Sequence, residues 1–193
     1  MDHRDDKEWA AFDQTVARLS PPHHTVRGNH DEPAAYRQRY GKEYRTFDQG
    51  NWRFVCLDST PLTTTPADEG QLAQVRAQLD WLAATLKEAH GQKRILVAAM
   101  HHPPSVLTAA SKAALDGLFR KYGVTLVLAG HIHRSQDYTD QGGYRVITVA
   151  GTEKFFDQRD YDYRVLTCMP DGTFTMEYRT LNTPVATPAP VQK

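Results

Sequence analysis

The sequence predicts a layered α/β fold, on three observations. Apolar stripes of helical period alternate with strand-length apolar runs, and two of those runs are continuous, as in strands covered on both faces. The described pattern then finishes in a hairpin signature around Pro170-Asp171-Gly172. Taken in order, Trp9, Phe12, Val16 and Leu19 share one helix face, with Asp5, Asp6 and Glu8 suited to its first turn and Pro21 as its stop. His24 to Val26 is a short extended segment running into Gly28, and Arg53 to Leu57 is a strand ending at Asp58. Gly70 to His90 is the strongest helix, with Leu72, Val75, Leu79, Leu82 and Leu86 on one stripe and Gly91 ending it. Ile95 to Met100 reads as a strand buried on both faces. Ser111 opens a helix bearing Leu115, Leu118, Phe119 and Tyr122, which Gly123 stops. Val124 to Ala129 and Tyr144 to Ala150 are two further strands, and Tyr163 to Thr167 pairs with Thr173 to Arg179 as the hairpin.

Composition narrows the function classes. The 193 residues suit one domain, expected over residues 1–182, and 40% hydrophobic with 24% charged residues is ordinary globular usage. Residues 183–193 hold three of the eleven prolines and are expected to form a disordered tail. Lys and Arg number 23 and Asp and Glu number 23, so the basic surplus of a nucleic-acid or anionic-membrane binder is missing. The apolar runs are too short to span a bilayer, and no apolar stretch follows Met1, so cytoplasmic residence is the default expectation. Cys56 and Cys168 fit neither a disulfide framework nor a zinc spacing. Cys56 and the stripe around Trp81 read as core. His3, His23, His24 and His90 take no role.

In layered α/β proteins the ligand site gathers after the carboxyl ends of the strands. There this chain places Gly28-Asn29-His30-Asp31, His101-His102-Pro103-Pro104 and Gly130-His131-Ile132-His133. Each has an ordinary reading alone: a solvated loop, a ring covering a strand end, a simple turn. Together they predict a metal site, with Asn29, His30, His101, His131 and His133 converging on one concave surface. Marks of dinucleotide, nucleoside-triphosphate and serine-hydrolase sites are missing.

At these residues the chain resembles the calcineurin-like metallophosphoesterases, the family that includes purple acid phosphatases and bacterial cyclic-nucleotide phosphodiesterases. The Gly-Asn-His-Asp, His-His-Pro-Pro and Gly-His-Ile-His motifs match it in order, and the likeness runs from about Asp2 to the final hairpin. The resemblance implies an α-β-β-α sandwich and a metal-dependent hydrolysis of a small phosphoester, mono- or diester, with no nucleic-acid or membrane partner. It implies Asn29, His101 and His131 on one metal and His133 on another. It places His30 over the phosphoryl group as phosphate binder or general acid, with Asp2 orienting His30; His102 is not the ligand in that pattern. Manganese, iron or zinc suits the mixed donors. The family's Asp-x-His and Gly-Asp motifs have no match in this sequence, so the domain is expected to be N-terminally incomplete. Two metals belong to the complete domain and one or fewer is expected here. The alternative is a non-catalytic metal- or phosphate-binding remnant, and a zinc-stabilised interaction domain ranks behind both because no fourth clustered His or Cys closes a site.

Overall fold

The computed structural model describes residues 6–151 and 162–180. Asp2 and the proline-rich segment 183–193 lie outside those residues. Helix α1 (Asp6–Val16) packs Trp9 and Phe12 on Tyr40 of α2 (Pro33–Tyr40), with the Arg39 guanidinium over the Trp9 ring. The first helix stops at Val16 and not at Pro21, leaving Leu19 54% exposed. Its end tightens into bonds from Arg18 N to Thr15 O and from Leu19 N to Val16 O, three residues apart, before the paired prolines. Helix α2 is absent from the sequence reading; only Tyr36 of it is buried, so it has no apolar stripe. Its start comes from local chemistry, with Pro33 at the first turn and the Glu32 carboxylate accepting from Ala35 N at 2.7 Å.

Residues His24 to Val26, expected to be extended, form no regular element and join no strand. The Thr25 carbonyl is taken by Arg45 Nη2 at 2.8 Å and the Tyr36 hydroxyl at 3.0 Å, where a sheet neighbour would otherwise bond. The main sheet has the order β1-β2-β3-β4-β6-β5. Strands β2 (Trp52–Leu57), β3 (Ile95–Met100), β4 (Val124–Ala129) and β6 (Arg145–Thr148) run parallel. Edge strands β1 (Arg45–Gln49) and β5 (Gln136–Thr139) pair antiparallel with β2 and β6. Both edges are missing from the sequence reading. Each has the polar sequence that an exposed edge tolerates and no apolar run.

Helix α3 (Glu69–Gly91) joins β2 to β3 and α4 (Ala109–Tyr122) joins β3 to β4. Both lie on one face of the sheet, because successive right-handed crossovers moving the same way across a sheet stay on one side. Asp68 caps α3 through Gln71 N at 2.8 Å. Gly91 is its last helical residue, and the left-handed turn falls on Lys93, with φ 58°. Thr108, and not Ser111, opens α4, and Gly123 at φ 80° closes it, donating to Phe119 O at 2.8 Å.

Side chains alternate across the strands. Val55, Leu57, Leu96, Ala98 and Met100 meet Leu82, Leu86, Leu115 and Phe119 on the helix side. Trp52, Phe54, Val97, Leu126 and Ile147 meet the second sheet, β7 (Asp162–Cys168) with β8 (Phe174–Thr180). Burial on both faces is why these strands read as continuous apolar runs. The hairpin turn docks at the starting ends of the strands, where Trp52 Nε1 donates to Met169 O at 2.8 Å and Asn51 Nδ2 to Pro170 O. Among the described residues no helix is long and apolar enough to cross a membrane.

Candidate metal centre

The parallel strands point their carboxyl ends one way. Asp58-Ser59 follows β2, His101-His102 follows β3 and Gly130-His131 follows β4. The Gly28–Asp31 loop comes up beside them, its backbone lying against an imidazole: a Cβ on Gly28 would stand 3.4 Å from His101 Cε1 and Nδ1. Asn29 Oδ1 lies 2.9 Å from His101 Nε2, and His131 Nδ1 lies 3.2 Å from the same nitrogen.

A single imidazole nitrogen carries either one proton or one lone pair, so it can serve both neighbours only as a three-centre bond from one N–H. An ion placed there would instead be met by all three lone pairs. Two donors about 2.0–2.1 Å from one ion, separated by a right to a tetrahedral angle, stand about 2.9–3.4 Å apart, the separations seen. The residues present therefore fit a divalent transition metal.

The rings are prepared for that role. Burial first, then the positive charge of His131, His133, His30 and Arg27, lowers the His101 pKa to about 4. Burial, with charge from His133 and His30, lowers that of His131. Both are neutral at neutral pH, with lone pairs available. His30 and His133 thus stand within electrostatic reach of the His101–His131 pair. Asp2, expected to orient His30, is outside the described residues.

The Gly130-to-His133 loop holds His131 at φ 65° and His133 at φ 51°, the left-handed region, which non-glycine residues enter at a cost of about 1–3 kcal/mol each. Bonds on both sides keep it there. Gly130 N donates to His101 O at 3.0 Å and Ile132 N to Gly130 O at 2.7 Å. Thr148 Oγ1 donates to Arg134 O at 2.6 Å, and the Ser135 hydroxyl donates to the buried Asp162 carboxylate.

His102 faces inward, 4% exposed, with its ring 4.2 Å from that of His131. Ser59 Oγ accepts from His102 N at 2.9 Å and lies 3.0 Å from His102 Nδ1. Burial, then His101, His131 and Arg27, lowers its pKa to about 3. His101, His102 and His131 each bring one donor atom within 4.8 Å of the others, the single such group of His, Cys, Asp or Glu among the described residues. The sequence reading left His102 without a role and missed Ser59, Gln78 and Arg27. The legible signal was a carboxylate, Asp58, closing an apolar strand.

Comparison with known proteins follows the same lines. Residues 1–135 match the calcineurin-like phosphoesterase family. The chain is 33% identical over 138 residues to a probable cyclic nucleotide phosphodiesterase from Synechococcus sp. (strain WH7803), covering 65% of this chain and 50% of that protein. It is 27% identical over 150 residues to a probable glycerophosphodiester phosphodiesterase from Arcobacter nitrofigilis, covering 69% and 53%. The chain spans about half the length of the curated relatives it matches. A dimetal phosphatase from Danio rerio shares the fold, with a TM-score of 0.67, 19% identity, and coverage of 93% of this chain and 77% of that one. With a family match over 135 of its 193 residues and that family's fold around its histidines, the chain belongs to the calcineurin-like phosphoesterases.

Proposed function

We propose that this chain is a metal-dependent phosphoesterase domain acting on small phosphoesters. Asn29, His101 and His131 hold one ion, His133 serves a second, and His30 works at the leaving oxygen. The observation that carries this reading is the convergence of Asn29 Oδ1 and His131 Nδ1 on His101 Nε2, at 2.9 and 3.2 Å. Two imidazoles and an amide oxygen suit zinc, manganese or iron. Ions bound there supply charge for the phosphoryl oxygens and an activated water.

The protein's own residues do the rest. Neutral, half-buried His101 and His131 present nitrogen lone pairs without competing protons. Exposed His30, beside Asn29 in sequence, gives a proton to the departing oxygen or binds the phosphoryl group, with Asp2 as the residue that orients it. The names of the relatives favour a diester substrate.

The remaining donors of a second ion have no motif match in these 193 residues, so the chain by itself retains one ion and turns over slowly. Elemental analysis combined with hydrolysis of an aryl phosphate mono- and diester tests this. One ion with slow turnover supports the reading. Two ions with brisk turnover overturn the one-ion clause, and no bound ion with no turnover overturns the whole. The second reading, a non-catalytic metal- or phosphate-binding domain, is favoured by that same lack of a motif match and predicts a bound ion without hydrolysis.

A further inference from the structure

The loop carrying Asn29 and His30 is fastened from a distance. Arg27 and Asp58, 6% and 8% exposed, form a buried pair in which Arg27 Nε donates to Asp58 Oδ2 at 3.1 Å. Nη2 donates to Oδ1 at 3.2 Å and to Oδ2 at 3.0 Å. The third nitrogen turns the other way: Nη1 donates to Asp31 O at 3.0 Å and reaches Gly28 O at 3.4 Å, the two ends of the loop. Asp58 is held in turn. Gln78 of α3, buried, accepts from Asp58 N at 2.8 Å and donates to Asp58 O at 2.9 Å, and Thr60 N donates to Oδ1 at 3.0 Å. A line of bonds therefore runs from the middle of the long helix, through the end of β2, to the loop.

A buried ion pair has an ordinary explanation as a staple between segments. A shape-matched apolar pair serves that purpose as well or better, since burying two charges carries a large desolvation penalty. The staple leaves Nη1 unexplained. Only a planar guanidinium can grip a carboxylate on one side and two loop carbonyls on the other; an ammonium cannot. We infer that Arg27, held by Asp58, is a positioning residue for the metal centre, fixing the Gly28–Asp31 loop so that Asn29 Oδ1 stands at His101 Nε2. This rests on the reading of Asn29 as a metal donor. Arg27 acts through the loop and contacts neither ion nor substrate.

The test replaces both partners at once, Arg27→Met with Asp58→Leu, in the 193-residue protein, so that no buried charge is left unpaired. The control pair is Arg53→Met with Asp48→Leu, an ion pair beside the β1–β2 turn at the other end of the sheet. Three readouts are taken: the metal-free melting temperature, zinc affinity by calorimetric titration, and NMR of the metal-free protein. The NMR follows the His101 Nε2 shift and the exchange of the Asp31 amide, which donates to Gly28 O at 3.2 Å. The Arg27–Asp58 replacement is expected to keep or raise the melting temperature and to weaken zinc binding on the order of 10–100-fold. It should also speed Asp31 exchange and move the His101 shift. The control pair should leave zinc affinity, Asp31 and His101 unchanged.

Wild-type zinc affinity with unmoved Asp31 and His101 signals in a folded Arg27–Asp58 replacement overturns the inference. A wild-type protein that binds none of zinc, manganese and iron overturns the proposed function instead, and the two NMR signals then decide the positioning role alone. Should the double replacement fail to fold, Arg27→Lys takes its place. It keeps a charge opposite Asp58 without the fork, and the same losses are expected.

Discussion

The left-handed backbone at His131 and its proposed role as an ion donor can be separated with two substitutions at one position. His131→Ala and His131→Gly both delete the imidazole, so they lose the same side-chain contacts with His101 and His102. They differ in what they do at φ 65°. Alanine keeps the clash of Cβ with the backbone, about 1–2 kcal/mol in the left-handed region, and glycine relieves it. At ordinary backbone angles glycine is the worse choice by roughly 0.5–1 kcal/mol, so the expected order is the reverse of the usual one. In a domain of this size 1 kcal/mol moves the melting temperature by about 2–4 °C, so the metal-free glycine variant should melt a few degrees above the alanine variant. Adding metal separates both from the wild type. At 100 times the dissociation constant a bound ion stabilises the wild type by about 2.7 kcal/mol, and at that concentration neither variant should gain measurably. Thermal unfolding in chelator and in zinc reads both effects. An alanine variant as stable as the glycine variant refutes the strain argument. A full metal-dependent rise in either variant refutes His131 as a donor.

Four further outcomes are expected. The unfolded imidazoles of His101 and His102 take up protons near pH 6.5, while the folded rings resist until about 4 and about 3. Metal-free stability should therefore be full above about pH 6.5 and fall as the pH drops towards 4, by up to about 1.4 kcal/mol per unit for each ring; urea unfolding at pH 7, 5.5 and 4.5 checks this, and a flat profile refutes it. Ser59→Ala leaves the buried His102 N–H and Nδ1 without their partner and should destabilise by about 1–3 kcal/mol in chemical denaturation. Gly142→Ala places a Cβ 2.4 Å from Tyr144 Cε1 and 2.8 Å from Asp116 Oδ1, so a loss of about 1–3 kcal/mol with unchanged metal affinity is expected from the same measurements. His30→Ala should lower phosphoester turnover by roughly 10²–10⁴-fold while metal content by elemental analysis stays the same; loss of bound metal would make His30 a donor instead.

How much of this was legible depended on the range of the interactions involved. Ile95–Met100 and Val124–Ala129 announce themselves because both their faces are covered, and the α3 stripe because one face is. Edge strands Arg45–Gln49 and Gln136–Thr139 carry no such pattern, since their assignment comes from register with β2 and β6 rather than from their own residues. Asn29, His101 and His131 were legible because short motifs place them at the ends of extended segments, and the fold does the convergence. Arg27, Gln78 and Ser59 were not. Their partners lie 31, 20 and 43 residues away, and nothing in the neighbouring sequence marks a guanidinium that will be buried or a glutamine that will sit inside an apolar stripe.

The docking of the 169–173 turn has a practical use. Met169 and Pro170 are held against Trp52 and Asn51, and Gly172 sits beside Ile95, so this turn marks the end of the sheet away from the histidines. From Ile95 to Met100 is five residue steps, about 17 Å of strand. A dye or surface linker attached at the exposed side chain of Asp171 would therefore leave the histidine end facing solution. Immobilised this way, the protein presents its histidine-bearing loops to every analyte in the same orientation, and metal or phosphoester binding can be followed on a sensor surface without the tether obstructing the approach.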